Sequence, residues 1–280
     1  GRAMASAPTS LDSLDEVFYR APIPLGGTAK QDWNNNGAMS LDFVGGNAGY
    51  VTTDYVARDV IEQQHRDYTL GLFKFLREDS RVPSALKTAL ASWGFCADEF
   101  TDDGTGGLSP EVYVREAARM VGDYVMTEAN FNKTATAAYP IALANYAMDS
   151  HPASKRVVGG VAHVEGGLSS GLVPTGYYGV EYRAMLPKAR ECGNLLVSCN
   201  GVSASHAAFG SIRMEVTFQS MGEAAGAAAA LSIKGKSRLH DIAGSDIQPI
   251  VRPYTIHPSR ILSVNAPSTN GTVTLSSVPP

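Results

Sequence analysis

The residue best suited to acid–base chemistry in this 280-residue chain is His206. Imidazole exchanges a proton near neutral pH, which makes histidine the commonest general acid or base. His206 lies in a short segment of small residues that follows an apolar run, and such loops often carry site residues. Ser203 and Ser205 lie beside it. We expect His206 to be catalytic and the two serines to bind substrate; the alternative is a structural, hydrogen-bonded histidine.

Two further histidines stand near carboxylates in the sequence. His151 follows Asp149, which could orient its ring. His163 precedes Glu165 by two positions, so in a strand both side chains face the same side and could act as base and acid. We expect His151, His163 and Glu165 to be catalytic, and a structural role is the alternative for each.

Arginines and tyrosines in apolar surroundings form a second set of candidates. A guanidinium group pairs with carboxylates, phosphates or carbonyl-rich ligands. We expect Arg213 to take part in catalysis. The expected substrate-binding members of the set are Arg115, Arg119, Tyr124, Tyr178 and Arg183. Tyrosines also simply pack, and the alternative for the arginines is a buried ion pair with Glu116, Asp123, Glu191 or Glu215.

Other chemistries find little support. The three cysteines, Cys96, Cys192 and Cys199, have an odd count and wide spacing, which argue against a disulfide framework or a zinc site. Cys199 would need a neighbouring cation to act as a nucleophile. The sequence contains no Ser–His–Asp hydrolase elbow, and we expect no metal.

Composition limits the classes of partner that this chain can bind. The chain is 44% hydrophobic and 18% charged, with a net charge of −4, and no basic face is evident, so we expect no nucleic acid. The longest apolar run, residues 224–233, is shorter than the roughly 20 residues that a membrane span needs. The N-terminus is polar and resembles no signal peptide. We expect a cytoplasmic protein that does not bind a membrane.

Hydrophobic periodicity predicts helices and strands in one α+β fold, a mixed or antiparallel sheet flanked by helices. Asp54 is a candidate N-cap for a long helix with a core-facing stripe of Val56, Val60, Ile61, Tyr68, Leu72, Phe75 and Leu76. Pro83 opens a second helix that runs to about Trp93. A third helix covers residues 214–233. The expected strands are 144–151, 156–165, 178–186, a buried run at 194–199, and short strands near 247–251 and 260–264.

The expected organisation has three parts. Residues 1–16 form a flexible arm, whose first three residues look like a tag scar. Residues 17–233 form one domain. Residues 234–280 form a tail that packs on this domain or on a partner subunit. Residues 113–125 fit either a strand or a helix, and residues 128–140 are expected to form a loop.

Several blocks in a fixed order resemble the substrate-domain half of the FAD-dependent oxidoreductase family. The clearest is residues 203–215, SASHAAFGSIRME, followed by a helix rich in Gly and Ala. The others are residues 61–71, 76–83, 113–125, 148–151, 182–188 and 191–197. The resemblance implies a pocket beside His206 and Arg213.

Departures from the family pattern concern the flavin. The family opens with a strand and a Gly-x-Gly-x-x-Gly turn that leads into a helix and holds the pyrophosphate. Here residues 45–49 contain glycines, but no apolar strand precedes them and no helix opens on them. Glu223 stands where the family commonly has an amide, and Val216 replaces a proline. At 108–111, Leu-Ser-Pro-Glu replaces a stretch with a tryptophan and a histidine.

We therefore expect a flavin-independent enzyme of the isomerase, cyclase or lyase type, with pericyclic ring closure in specialised metabolism as one form. It would need no cofactor, act on an apolar oxygenated metabolite and form a homodimer. The first alternative is one subunit of a split oxidoreductase, with FAD completed by a partner chain. The second is a non-catalytic binding or scaffolding subunit.

Overall fold

A computed structural model describes residues 40–251, except 92, 93, 96, 103, 115, 160, 169–173 and 175, and the backbone of three short strands before residue 40. The chain divides into two compact units. Unit 1 comprises Gly1–Val114 and His151–Gly167, and unit 2 comprises Arg115–Ser150 and Leu168–Pro280. The combination of helices and antiparallel strands confirms the α+β prediction. The predicted arm, domain and tail boundaries stay predictions.

Among the described residues of unit 1, two helices pack on each other. Helix α1 spans Tyr55–Glu78, and the Asp54 carboxylate accepts a hydrogen bond from the amide of Ala57 at 2.9 Å, as a capping residue should. Helix α2 spans Ser84–Ala91 and begins directly after Pro83. Both predicted helix starts are confirmed. The small core of this unit consists of Leu76, Val82, Leu86 and Leu90.

The predicted core-facing stripe of α1 is only partly correct. Leu76 is buried, and Leu72 and Phe75 pack against the core. Val56 and Val60 are exposed instead, with 76% and 54% of their surface accessible. Helix α2 has eight residues and α1 has 24, so α2 can cover only part of the length of α1.

The sheet of unit 1 is antiparallel, with strands β1 (Arg2–Ala3), β6 (Val161–Glu165) and β5 (Ser154–Val158) in that order. Strands β2 (Ile23–Leu25) and β3 (Thr28–Lys30) form a separate pair. The single strand expected at 156–165 is wrong. The chain turns back after β5 at Gly159, whose φ of 58° favours glycine, and β6 pairs with β5.

Unit 2 is built around the antiparallel pair β4 (Pro140–Ala144) and β7 (Tyr178–Glu181). Helix α3 spans Glu128–Phe131, α4 His206–Ile212, α5 Glu215–Gly235 and α6 Gly244–Ile247, and 3-10 turns cover Tyr182–Met185 and Leu239–Asp241. Helix α5, predicted at 214–233, is confirmed, and its small residues Ala224 and Ala228 are fully buried. The apolar core of the unit includes Met126, Ile141, Val180, Phe209 and Met221.

Several strand predictions in unit 2 are wrong. Residues 194–199 form no strand, and Leu195 is 47% exposed; the Val197 amide bonds to the Met185 carbonyl without continuing as a ladder. Of the strand expected at 144–151, only Ala144 lies in a strand, β4. The strand expected near 247–251 is absent, because Ile247 is the last residue of helix α6 and the residues after it form a turn. The strand expected near 260–264 lies outside the described residues.

Two loop regions also differ from expectation. Within 128–140 the first four residues form α3, because Asn130 accepts the amide of Thr127 at 3.0 Å and closes a turn. The described part of 113–125 is neither helix nor regular strand, and Gly122 forms an isolated bridge with Pro187. In the described part of the chain, no helix is both long and apolar enough to cross a membrane.

Candidate functional site

His206 is the first residue of α4, and backbone hydrogen bonds fix its position. Ser205 caps the helix, its hydroxyl accepting the Ala208 amide at 3.2 Å. The segment that leads into the helix lies beside Met126, which donates to the Ser203 carbonyl at 3.0 Å and accepts from the Ser205 amide at 2.8 Å. The imidazole is therefore held at a defined place in unit 2.

A carboxylate orients the His206 ring. Nδ1 of His206 lies 2.8 Å from Oε2 of Glu116, and the same oxygen accepts from Nη1 of Arg119 at 2.9 Å. Since a carboxylate paired with a guanidinium is a hydrogen-bond acceptor, Nδ1 of His206 is the donor in this contact, and in the neutral imidazole this leaves the lone pair on Nε2. The His206 side chain is 42% exposed. This arrangement fits a general base whose tautomer is set by its partner.

Arg119 is anchored on three sides. Its Nε donates to the Ala204 carbonyl at 3.1 Å, its Nη1 pairs with Glu116, and its guanidinium carbon lies 5.3 Å from the centre of the Phe209 ring. The predicted ion pair with Glu116 is thus observed. Arg119 acts by positioning Glu116, and its expected role in substrate binding stays a prediction.

Arg213 is held at the opposite end of α4 from His206. It pairs with Asp149, and its guanidinium carbon lies 5.8 Å from the centre of the Tyr146 ring. Arg213 follows His206 by seven positions, roughly 10 Å along the helix axis. Asp149 was expected to orient His151 and instead binds Arg213, and none of the carboxylates expected for Arg213 is its partner. The structure does not bring His206 and Arg213 together.

Arg183 and Tyr124 lie against each other in unit 2. The Arg183 guanidinium carbon is 5.3 Å from the centre of the Tyr124 ring, and its Nε donates to the fully buried Glu181 at 3.1 Å. The Tyr124 hydroxyl accepts from Asn130 at 2.7 Å. Glu181, the last residue of β7, was not among the expected partners of Arg183, which lies two positions later in the chain.

The hydroxyl groups of Tyr178 and Ser203 form hydrogen bonds with other residues of unit 2. The Tyr178 hydroxyl donates to Ser211 at 2.7 Å, Ser211 donates to the Tyr146 carbonyl at 2.5 Å, and burial raises the pKa of Tyr178 to about 12. The Ser203 hydroxyl accepts the Gly122 amide at 3.0 Å and is fully buried. Ser205, beyond capping α4, donates to Glu128 at 3.2 Å. Their expected contacts with substrate stay predictions, and Arg115 lies outside the described residues.

The other predicted histidines lie in unit 1. Nδ1 of His151 is 2.5 Å from Oδ2 of Asp42, 109 positions away in the sequence. His163 and Glu165 share one face of β6, as expected, and the Glu165 carboxylate pairs with Arg156. Sequence reasoning missed Asp42, and no spacing signal could have linked it to His151.

A comparison with protein-family models found the FAD dependent oxidoreductase family, matched over residues 7–251. The chain belongs to the FAD-dependent oxidoreductase family. The predicted membership of this family is confirmed, and the correspondence to its substrate-domain half alone stays a prediction. Searches of curated proteins and of solved structures found no match.

The family name implies FAD, and two helix N-termini among the described residues are poorly suited to its pyrophosphate. Such a group binds where a glycine turn leads into an open helix N-terminus. Gly45 and Gly49 have positive φ angles, but α1 begins only at Tyr55, and the Asp54 carboxylate already occupies its N-terminus. Helix α5 begins with Glu215. Negative side chains at both places would repel phosphate.

Proposed function

We propose that this member of the FAD-dependent oxidoreductase family is an acid–base enzyme that acts on an oxygenated small molecule without flavin. The observation that carries the proposal is the Glu116–His206 pair, in which a carboxylate orients an imidazole that remains 42% exposed. Nε2 of His206 removes a proton next to a carbonyl or hydroxyl group of the substrate and returns it at another atom. Isomerisation, cyclisation and elimination by a lyase all need this step.

Two features support a reaction without electron transfer. Proton movement by His206 requires no electron acceptor, and Asp54 and Glu215 place negative charge at two helix N-termini, which disfavours the binding of a phosphate group there. The neighbouring Arg119 keeps Glu116 in place and adds positive charge beside the pair, which favours substrates with a polarised oxygen.

The second candidate function is an oxidoreductase whose flavin is held by another chain. The family match over residues 7–251 favours it. The two candidates differ in one measurable property, because only the second requires a bound flavin during turnover.

The first experiment looks for proton transfer. The purified chain is incubated in D₂O with a panel of small ketones, aldehydes and hydroxy acids, and proton NMR follows exchange at carbons next to the oxygen. We expect exchange or conversion of at least one compound, and His206→Gln lowers its rate by about 10²- to 10⁴-fold. Glu116→Gln, which keeps the side-chain volume, lowers the rate less and changes its pH profile.

The matched control is His65→Gln. His65 hydrogen-bonds the Ile61 carbonyl within α1 at 2.8 Å and lies in unit 1, so this variant should react like the wild type. An active His206→Gln variant would overturn the proposal. Gel filtration of the chain with added FAD decides between the two candidates. A flavin absorbance band that elutes with the protein and is needed for turnover would establish the second.

A further inference from the structure

A second cluster of reactive side chains lies in unit 1, around Lys155, the second residue of β5. Strand alternation places Lys155 on the opposite face from its neighbours Ser154 and Arg156. Its Nζ donates to the Ser40 hydroxyl at 2.9 Å. Ser40 is fully buried, and its hydroxyl also accepts the amide of Asp42 at 3.2 Å. The amine is therefore tied to one position inside the unit and not left to move in solvent.

The amine stands next to a carboxylate–histidine pair. Asp42, two residues after Ser40, contacts Nδ1 of His151 at 2.5 Å, with 17% and 28% of the two side chains exposed. The Tyr68 hydroxyl donates to the Ser40 carbonyl at 2.8 Å, and Phe43 stacks on the Tyr68 ring at 4.7 Å. One short segment, residues 40–43, thus brings together an amine, a carboxylate–histidine pair and aromatic rings.

Electrostatics in this cluster favour a reactive amine. Burial lowers the pKa of Lys155, and the charge of Asp42 opposes this only in part. A larger fraction of Lys155 is therefore neutral near pH 7 than of an exposed lysine. Burial and Asp42 both raise the pKa of Tyr68, so its hydroxyl remains a neutral donor. A partly buried lysine beside an acid–base pair is the setting in which lysines act as nucleophiles.

We propose that Lys155 is a second reactive centre, whose amine condenses with an aldehyde or ketone to form an imine. The nitrogen lone pair forms a bond to the carbonyl carbon, and an amine proton moves to the carbonyl oxygen. The carbon–oxygen bond then breaks, and the oxygen leaves as water after receiving a second proton. The Asp42–His151 pair carries these protons. No electrons are exchanged with a third group, so the step needs no oxidant or reductant.

This centre is independent of the Glu116–His206 pair, because it uses other residues in the other unit. The reaction at Lys155 goes beyond the proposed function, and an experiment that refutes one of the two leaves the other unaffected. Its substrate class is a small carbonyl compound, and the imine would assist carbon–carbon cleavage or proton loss beside the former carbonyl carbon.

The test traps the imine. The full chain is incubated with propanal and sodium cyanoborohydride at pH 7, and peptide mass mapping measures propylation at every lysine. Lys155 should be modified roughly tenfold faster than the exposed Lys74, Lys234 and Lys236. These lysines are controls within the same molecule, so the result does not depend on the folding of any variant.

Variants then test the mechanism. Lys155→Arg, checked for folding by circular dichroism, should remove the fast-reacting site and leave the labelling of the exposed lysines unchanged. Asp42→Asn and His151→Gln should slow labelling at Lys155 and at no other lysine. Labelling of Lys155 no faster than that of the exposed lysines, or equal fast labelling in the Lys155→Arg chain, would overturn the proposal.

Discussion

At the scale of single residues, the two arginines with the best-defined surroundings serve different purposes. Arg119 holds the carboxylate that orients His206, whereas Arg213 joins the end of α4 to Asp149 and covers Tyr146. Each guanidinium has a partner that accounts for its burial. The His206 imidazole is 42% exposed, and in the proposed reaction it is the group that meets the substrate.

Arg213→Met tests whether Arg213 is structural. Its side chain is only 12% exposed, so removing the charge leaves Asp149 without its partner and should lower the free energy of unfolding by about 1–3 kcal/mol. Urea unfolding followed by circular dichroism measures this change. Arg190→Met is the control, because Arg190 is 78% exposed and its 3.6 Å pair with Glu191 should contribute little. Lost turnover with unchanged stability would instead support the predicted catalytic role.

At the scale of elements, helix α4 sets the position of His206, the predicted catalytic residue. The helix packs so closely that a side chain at Gly210 would come within 2.7 Å of the Asp149 carbonyl oxygen. This contact brings the helix against the segment that binds Arg213. The position of His206 at the other end depends on the same helix, on its cap Ser205 and on the neighbouring strand-like segment at Met126.

Gly210→Ala should therefore be destabilising. The added methyl group meets backbone atoms that cannot move without shifting the helix, and a cost of about 1–3 kcal/mol is typical of such overpacking. Gly226→Ala is the matched control. Gly226 lies in α5 with no atom within 4 Å of the added carbon, and there alanine should stabilise the helix by roughly 0.5–1 kcal/mol. Thermal unfolding of both variants checks the opposite signs; a neutral Gly210→Ala would contradict the close packing.

At the scale of the whole molecule, buried tyrosines set its behaviour in alkali. Burial raises the pKa of both Tyr178 and Tyr182 to about 12, from the ordinary value of 10.0. Above pH 10 the unfolded chain loses these protons and the folded chain keeps them. The unfolded state then binds fewer protons, so stability falls as pH rises from 10 to 12.

The expected loss is on the order of 2 kcal/mol per tyrosine at the upper end of this range. Urea unfolding at successive pH values measures it, and Tyr178→Phe or Tyr182→Phe should flatten the decline. Tyr55→Phe, at a site that is 81% exposed, should leave it unchanged. An equally steep decline in all three variants would show that other groups cause the alkaline instability.

Local sequence patterns determined those parts of the molecule that depend on nearby residues. The Asp54 cap, the proline start of α2 and helix α5 were predictable, because each rests on residues a few positions apart. The family was recognisable from short motifs whose order along the chain can be read directly. The same patterns failed at 194–199 and 156–165. The apolar run at 194–199 forms no strand, because an apolar run becomes a strand only where a partner strand exists. The run at 156–165, rich in strand-forming residues, folds into a hairpin because Gly159 allows the chain to turn.

The α+β class, the family and the candidacy of His206 all followed from the sequence alone. The partners of His206, His151 and Lys155 depend instead on residues that folding brings together from distant parts of the chain. Glu116 reaches His206 across 90 positions, Asp42 reaches His151 across 109, and Lys155 reaches Ser40 across 115. Folding sets such distances through the packing of whole elements, which local spacing does not encode. The same packing explains why Asp149 pairs with Arg213 and not with His151, its neighbour in sequence.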